Sequence, residues 1–182
     1  MLHCVPPWET LFKMPNALSR AGAQVGDLAL PAMLARMAPI QGRIMAFEAW
    51  RALAHERRSH PEQISPALAG MLRVGQEISY EEHRRNLALA SEGRQLIDHC
   101  FEHHDVLLAP SAPGEAPAGL DATGDPVFCR MWTLLGLPCV HLPFTVGIHG
   151  LPVGLQVIGR HDADYPMLKM ARWIHRQLRA AS

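Results

Sequence analysis

The chain has 182 residues, of which 48% are hydrophobic and 19% charged, and this length can bury the core of a single domain over residues 1–182. Seventeen basic and seventeen acidic residues give a formal net charge of zero, so no overall field attracts nucleic acid or an anionic membrane. We therefore predict neither kind of partner. The cysteines form no CxxC motif and the first residues do not resemble a secretory signal, which predicts a cytoplasmic protein with free thiols.

The N-terminal third predicts a short helix, a strand and a long helix. Turn and helix signals end near Gly22, and "AQVGDLAL" is expected to be a strand that Pro31 closes. After Pro39, apolar residues recur at helical spacing and predict a helix of about five turns. His60 and Pro61 end this helix.

Two helices with clear start signals follow. Pro66 is expected at the first position of a shorter helix, directly after Ser65. Ser79 and Glu82 have the Ser-x-x-Glu spacing of a capping box, which predicts the start of a helix of about six turns.

The end of that helix contains a histidine-rich stretch, "DHCFEHHD". His99 and His103 are four residues apart, as are Cys100 and His104, and this spacing could hold two zinc ligands on one helix face. No further ligands are marked in the sequence, and a histidine at a helix C-terminus is already favoured by the helix dipole. We predict no metal and no other cofactor. Cys100 and Cys139 are expected in buried segments, where a thiol is inert.

The last third predicts strands and helices in alternation. "DVLLAP" is expected to be a strand covered on both faces, and a Pro- and Gly-rich loop follows it. Asp125 and Pro126 start a helix that runs to about Leu135. "CVHLPF" and "VGLQVIG" are predicted as two strands joined by a turn. A terminal amphipathic helix is capped by Asp164, and its inward residues are expected to be Leu168, Ala171, Ile174 and Leu178.

The two strands lie in a window, Thr133–Gly159, that contains no Asp, Glu, Lys or Arg. The window is long enough to cross a bilayer. Its prolines and glycines would break a spanning helix and leave backbone groups unsatisfied in lipid. The absence of charge therefore predicts interior sheet.

Several of these segments, in this order, resemble the C-terminal third of the amidase signature hydrolases. They are "DVLLAPSAPGEAP", a Gly-Asp-Pro helix with Trp132, "LLGLPCVHLPF" and "GLPVGLQVIG", preceded by "AGAQVGDLALP" and "IMAFEAW". The resemblance implies an α/β fold, part of an α/β/α sandwich with a mixed sheet flanked by helices. It also implies hydrolysis of carboxylic amides through an acyl-enzyme.

The catalytic unit that the family implies cannot be placed on this sequence. That unit is a lysine, a serine in a cis peptide and a nucleophilic serine, in a Gly/Ser-rich segment upstream of this region. The sequence has no adjacent serines, and its only lysines are Lys13 and Lys169. We therefore predict no catalytic residue in this chain.

The resemblance leaves a pocket wall as the expected role. The segment through "LLGLP" packs near the substrate cleft in the family, which makes Trp132, Thr133 and Leu137 candidates for that wall; ordinary core positions are the alternative. Such a lobe would meet an amide substrate only together with a complementary catalytic lobe. The competing interpretations are a gene fragment, one subunit of a split amidase, or a noncatalytic interaction or oligomerisation module. A homo-oligomer or a partner chain is expected, because an isolated lobe exposes a sheet edge and an apolar face.

Overall fold

The computed structural model describes residues 7–120 and 122–180, with side chains from residue 14 onward. Two short 3-10 helices, Ala32–Arg36 and Pro61–Gln63, connect the longer elements. The α-helices in this part of the chain are α1 (Pro7–Arg20), α2 (Met37–Ala52), α3 (Ala54–Ser59), α4 (Pro66–Glu77), α5 (Tyr80–Cys100), α6 (Val127–Leu135) and α7 (Asp164–Ala180). The strands are β1 (Leu107–Pro110), β2 (Cys139–Val146) and β3 (Pro152–Ile158).

The strands form one sheet in the order β1-β3-β2, and both neighbours run antiparallel to β3. Leu107 lies opposite Ile158 on one side of β3, and Cys139 lies opposite Ile158 on the other. The α/β fold class is confirmed. Within residues 7–120 and 122–180, however, the sheet is antiparallel and not mixed.

Each face of the central strand β3 is covered by its own hydrophobic core. On one face, α1 and α7 pack against Leu142, Leu155 and Val157. On the other face, α2, α5 and α6 pack around Leu107 and Ile158. The central strand β3 therefore lies between two helical layers, and its residues 153–158 are all buried.

The starts of α4 and α5, which Ser65 and Ser79 mark in the sequence, are confirmed, whereas α6 follows Pro126 without a side-chain cap bond and Asp164 is the first residue of α7. Ser65 caps α4 by accepting the N–H of Leu68, and Ser79 caps α5 by accepting the N–H of Glu82. Only half of the capping box forms, because the Glu82 carboxylate turns away from Ser79 and pairs with Arg43 of α2. The box residues thus also join two helices.

Four predictions about elements are corrected by the structure. Residues 23–30 form no strand; they run over the surface without a strand partner among the described residues, and Ala23 and Leu28 are the hydrophobic residues of this segment that pack against the two cores. The long helix begins at Met37, ahead of Pro39, and a break at Leu53 separates α2 from α3. Pro39 fits because the first turn of a helix needs no bond from its nitrogen.

The remaining two corrections concern burial. In α7, Ala171, Ile174 and Leu178 face inward as predicted, but Leu168 is 50% exposed and Met167 is buried in its place. Interior sheet is confirmed for β3 but not for β2. In β2, the residues that alternate with the core-facing ones, Cys139, His141 and Pro143, are exposed.

The contact between α4 and α2 depends on Gly75. A Cβ at this position would overlap the Ala46 carbonyl and lie 2.9 Å from Trp50 Cβ. The Gly75→Ala variant is expected to lose about 1–3 kcal/mol in the free energy of unfolding, because backbone must move to make room. Urea denaturation measures this loss.

Gly70, on the same helix, is the matched control. Its nearest neighbour for an added Cβ is a flexible arginine nitrogen at 3.9 Å. Gly70→Ala should raise stability by up to about 1 kcal/mol, because alanine favours helix. Equal effects of the two substitutions would contradict the close packing of α4 on α2.

Candidate functional site

A glycine turn fixes the end of α6, where two of the predicted pocket-wall residues lie. Gly136 adopts the left-handed conformation with φ 76°, and the N–H of Leu137 donates to the Trp132 carbonyl at 3.1 Å. This Schellman geometry brings Trp132 and Leu137 into the same core cluster. Their side chains are only 6% and 7% exposed, whereas Thr133 points outward.

Two cationic side chains hold the carbonyls that α6 leaves unpaired. Arg94 of α5 donates to the carbonyls of Leu134 at 3.1 Å and Leu135 at 3.2 Å. His161, which follows β3, reaches the Leu135 carbonyl with Nε2 at 2.6 Å. Positive charge at a helix C-terminus is favourable, so these contacts fix the position of α6 against α5.

Both ring nitrogens of His161 face acceptors. Nε2 meets the Leu135 carbonyl, and Nδ1 lies 2.9 Å from Asp98 Oδ1. Only the imidazolium can donate from both nitrogens. Burial lowers the pKa of His161, but the hydrogen bonds to Asp98 and Leu135 outweigh it and leave the pKa raised. His161 therefore joins α5 to the end of α6, and its charged form is the one that can donate to both acceptors.

A shallow cleft of about 340 Å³ opens beside this histidine. Its walls mix acidic and basic groups, of which His161 and Asp98 pair at 2.9 Å and Arg160 donates to the Phe101 carbonyl at 2.8 Å. The cleft is lined by Asp98, His99, Glu102, Arg160 and His161.

A serine and a histidine meet at the end of β1. Ser111 Oγ lies 2.6 Å from His141 Nδ1, and the Ser111 N–H donates to the Gly154 carbonyl at 3.2 Å. The imidazole lies against β3 at Gly154, where a Cβ would come within 2.6 Å of His141 Cε1. Glycine at this position thus makes room for the Ser111–His141 pair.

Gln156 is a buried polar residue of the central strand, only 4% exposed. Its Nε2 donates to the Pro110 carbonyl at 2.9 Å and to the Phe128 carbonyl at 2.7 Å. One amide group therefore ties β3 to the end of β1 and to the first turn of α6. Removing the Gln156 amide would take this donor away from the Pro110 and Phe128 carbonyls.

Glu115 anchors the long loop between β1 and α6 to the turn between β2 and β3. Its carboxylate accepts the N–H of His149 at 3.0 Å and that of Leu151 at 2.8 Å. Gly147 lies directly against this side chain, where a Cβ would overlap Glu115. The loop and the turn are thereby held as one unit.

An exposed surface built from residues without charge runs along β2 to this turn, where the Glu115 carboxylate adjoins it, and we call it the uncharged strip. On β2 it consists of the outward residues Cys139, His141 and Pro143. It continues at the turn, where Val146 and Ile148 are 61% and 70% exposed. Leu151 completes it. Cys139, predicted in a buried segment, is exposed; partial desolvation of its thiol and the nearby Cys129 thiol raise its pKa to about 11, so this thiol stays protonated.

The open edge of β2 is not a free template for another strand. The Gly154 carbonyl accepts the N–H of Ser111, so the backbone groups of Gly154 point toward β1. Pro143, which lies opposite Gly154 on β2, is therefore in a non-hydrogen-bonded pair, and its backbone groups point to the open edge. Proline has no N–H there, and the register shifts between Pro143 and Thr145. Both features hinder strand addition.

The elements of a serine–lysine catalytic unit do not converge in the part of the chain with described side chains. Lys169 lies over the Tyr165 ring, with Nζ 4.3 Å from the centroid. The Lys13 side chain and Ser182 lie outside the described residues. Ser65 and Ser79 are helix caps, and Ser111 meets a histidine instead of a lysine.

The histidine-rich end of α5 bonds to its own backbone. His99 Nδ1 meets the Gln95 carbonyl and His104 Nδ1 meets the Cys100 carbonyl, both at 2.7 Å. Among residues 7–120 and 122–180, no group of three or more His, Cys, Asp or Glu side chains has a metal-binding arrangement. Cys100, Cys129 and Cys139 are free thiols, and Cys4 lies outside the described range.

The length of the uncharged window also raises the question of a membrane span. Across the helices of the described segments, none combines the length and the apolar character that crossing a bilayer requires.

Known proteins with this architecture are found among solved amidase structures. A crystal structure of an amidase matches 93% of the chain with a TM-score of 0.84 and 26% identity, and the match covers 41% of that amidase. The chain is a homologue of the amidase signature enzymes. A bacterial aryl acylamidase of the same family matches 96% of the chain with a TM-score of 0.71, and at 22% identity it supports the fold alone. No protein-family model matches.

Curated relatives agree with this assignment over a shorter stretch. The A subunit of the human mitochondrial glutamyl-tRNA(Gln) amidotransferase is 31% identical over 112 residues. The corresponding subunit from Rickettsia bellii is 37% identical over 93 residues. These matches include 54% and 45% of the chain, but the chain spans only 21% and 19% of the relatives' own length.

Sequence reasoning identified the amidase homology but not the contacts that organise the lobe. The Ser111–His141 pair joins residues thirty positions apart, and no local spacing marks it. Glu115 gives one signal, because it is an isolated acid in a Pro- and Gly-rich loop. Gln156 gives another, because it is a polar residue inside an apolar strand.

The Glu115 anchor can be tested by amide hydrogen exchange. In Glu115→Gln, the amides of His149 and Leu151 should exchange roughly tenfold faster, because losing a charged acceptor costs about 1.5 kcal/mol of local stability. Glu92→Gln, at an exposed position of α5, is the control and should leave both amides unchanged. Unaltered exchange in Glu115→Gln would contradict the anchor.

The His161 contacts predict a pH dependence of stability with a defined sign. Because the folded pKa is raised above 6.5, the stabilisation is complete below that value and is lost as the pH rises through the folded pKa. The stability advantage of the wild type over His161→Gln should therefore shrink as the pH rises above 6.5. Urea unfolding across this range measures it, and an advantage that grows with pH would refute the assignment.

Proposed function

We propose that this chain forms the non-nucleophilic lobe of an amidase, which builds one wall of the pocket for a carboxylic amide. The observation that carries the proposal is the match of 93% of the chain to 41% of a solved amidase at a TM-score of 0.84. The lobe acts in the cytoplasm together with a complementary catalytic lobe, and it holds no cofactor.

The chemistry of the described side chains supports inactivity of the lobe alone. An amide needs an activated hydroxyl, a base for its proton and donors for the oxyanion. Ser111 lies 2.6 Å from a base, His141. However, the backbone N–H of Ser111 already donates to the Gly154 carbonyl and is not available as a donor for an oxyanion. The Lys169 amine lies over Tyr165 instead of beside a serine.

The wall itself is proposed at Trp132, Thr133 and Leu137, with different roles. Trp132 and Leu137 are buried in the core, so they would shape the wall from behind. Thr133 is exposed and could contact the substrate directly. Arg94 and His161 hold the end of α6 from the other side, which keeps this segment rigid.

A noncatalytic interaction or oligomerisation module is the alternative, and the uncharged strip favours it. Exposed apolar residues such as Val146 and Ile148 are typical of surfaces that another protein covers. The same strip would serve one half of a split amidase. The two interpretations differ in whether the assembled complex hydrolyses amides.

Hydrolysis assays on the purified 182-residue chain test the proposal. With an aryl amide of a simple carboxylic acid, the chain alone should give no turnover above the uncatalysed rate, and Ser111→Ala should behave identically. A full-length amidase assayed in parallel is the positive control. Turnover by the chain alone that a serine-directed reagent abolishes would contradict the proposal.

A further inference from the structure

We propose that the outer face of α7 binds a single-stranded nucleic acid, with its cations on the phosphates and an exposed tyrosine against a base. The cations are Lys169, Arg172, Arg176 and Arg179, and we call them the basic face. This second role does not depend on amide hydrolysis and uses a different surface from the proposed pocket wall.

The basic face is a straight row because its residues recur at helical spacing. At about 100° per residue, positions 165, 169, 172, 176 and 179 fall within an arc of about 80°, and all five side chains are exposed. The opposite face of the helix is buried in the core through Met167, Ala171, Ile174 and Leu178. The packing of α7 on the sheet therefore directs the cations to solvent.

No acidic side chain balances this face along the helix. Residues 165–182 contain no Asp or Glu, and Asp164 is the first residue of α7, where a carboxylate suits the N-terminal dipole. Among the described side chains, none of the ion pairs involves a cation of the basic face. On α5, by contrast, Arg85 pairs with Glu81.

The elements packed beside α7 do not supply the missing acids. These elements are α1, β2 and β3. Both strands lack Asp, Glu, Lys and Arg, and the charge among the described side chains of α1 is a further exposed cation, Arg20. The formal net charge of zero thus describes the whole chain and not this surface, where the local field attracts an anion.

The spacing and the chemistry of the basic face suit a phosphodiester chain. From Lys169 to Arg179 the helix rises about 15 Å, and successive cations are three or four residues apart, which places their Cβ atoms about 5–6 Å from each other. A row of this kind can meet successive phosphates of one strand. Three of the four cations are arginines, and the planar guanidinium binds phosphate through two parallel N–H donors.

An aromatic ring at the start of the row favours a single strand over a duplex. Tyr165 is 69% exposed, and Lys169 Nζ lies 4.3 Å from its ring centroid. Single-stranded nucleic acids are held by this combination, because bases stack on the ring while the backbone follows the charges. In a duplex the bases are already stacked on each other and do not reach the ring.

An anionic membrane fits this face less well. A helix that lies in a membrane surface buries its own apolar face among the lipids. The apolar face of α7 is instead packed against the sheet in the core. Lipid would therefore meet α7 mainly through charge, whereas a single strand also uses Tyr165.

Fluorescence anisotropy with a labelled oligonucleotide tests the basic face in the 182-residue chain. The probe is a single strand of about twelve nucleotides, within the range of lengths that single-strand sites cover, made once as oligouridine RNA and once as oligothymidine DNA. Both should bind at low salt, because the contacts go to phosphates and base faces that the two share. Four phosphate contacts predict a slope of about −3 in a plot of log K against log [salt].

Matched double variants separate the basic face from the net charge. Arg172→Gln with Arg176→Gln should weaken binding at least about tenfold at low salt and reduce the slope by about 1.4, because two phosphate contacts are lost. Arg58→Gln with Arg84→Gln removes the same charge from exposed positions of α3 and α5 and should change neither value.

The ring is tested by a second pair of variants. Tyr165→Ala should weaken binding of the single strand at least about fivefold, because a base loses its stacking partner. Tyr165→Phe keeps the ring and should bind like the wild type.

The remaining outcomes overturn the assignment. No binding at low salt, or equal weakening by the two double variants, would reduce the basic face to solvated surface charge. Equal binding by Tyr165→Ala and the wild type would remove the stacking contact that selects a single strand. Tighter binding to a duplex of the same length, to phosphatidylserine vesicles or to polyglutamate would replace the single strand by another partner.

Discussion

The structure depends on the burial of one strand between two helical layers. Leu155 and Val157 of β3 face the layer of α1 and α7, whereas Ile158 faces the layer of α2, α5 and α6. Burial on both faces excludes charged side chains, and the polar side chain that β3 does carry, Gln156, finds two carbonyl acceptors. The positions of β1, α6 and the long loop follow from these contacts.

In this arrangement β3 is buried on both faces, whereas β2 is exposed on one face. Helices cover β3 on both faces, but one face of β2 stays open beside the Ser111–His141 pair. The surface left open carries no charge and ends in an anchored turn. An open face of this kind agrees with the proposed role as one wall of an amide pocket, and the described side chains do not assemble the groups that break an amide bond.

Local signals predicted the elements well, and long-range contacts explain the misses. Ser79 marks the start of α5 and the DVLLAP segment marks β1 because capping and short apolar runs act over a few residues. Residues 23–30 look like a strand, but a strand needs a partner that the sequence does not reveal. The absence of charge in β2 predicted burial, but alternate residues of this strand are exposed. A sequence without charged residues is compatible with a buried strand and with an exposed uncharged surface. The pocket-wall residues remain predictions for the same reason.

Reaction of the intact chain with an aryl fluorophosphonate, followed by mass spectrometry, tests most directly whether this polypeptide holds the nucleophile. The account predicts no stoichiometric adduct on any serine, while a full-length amidase treated in parallel is labelled. A single serine of this chain that is fully labelled, and whose labelling requires Lys13 or Lys169, would contradict it.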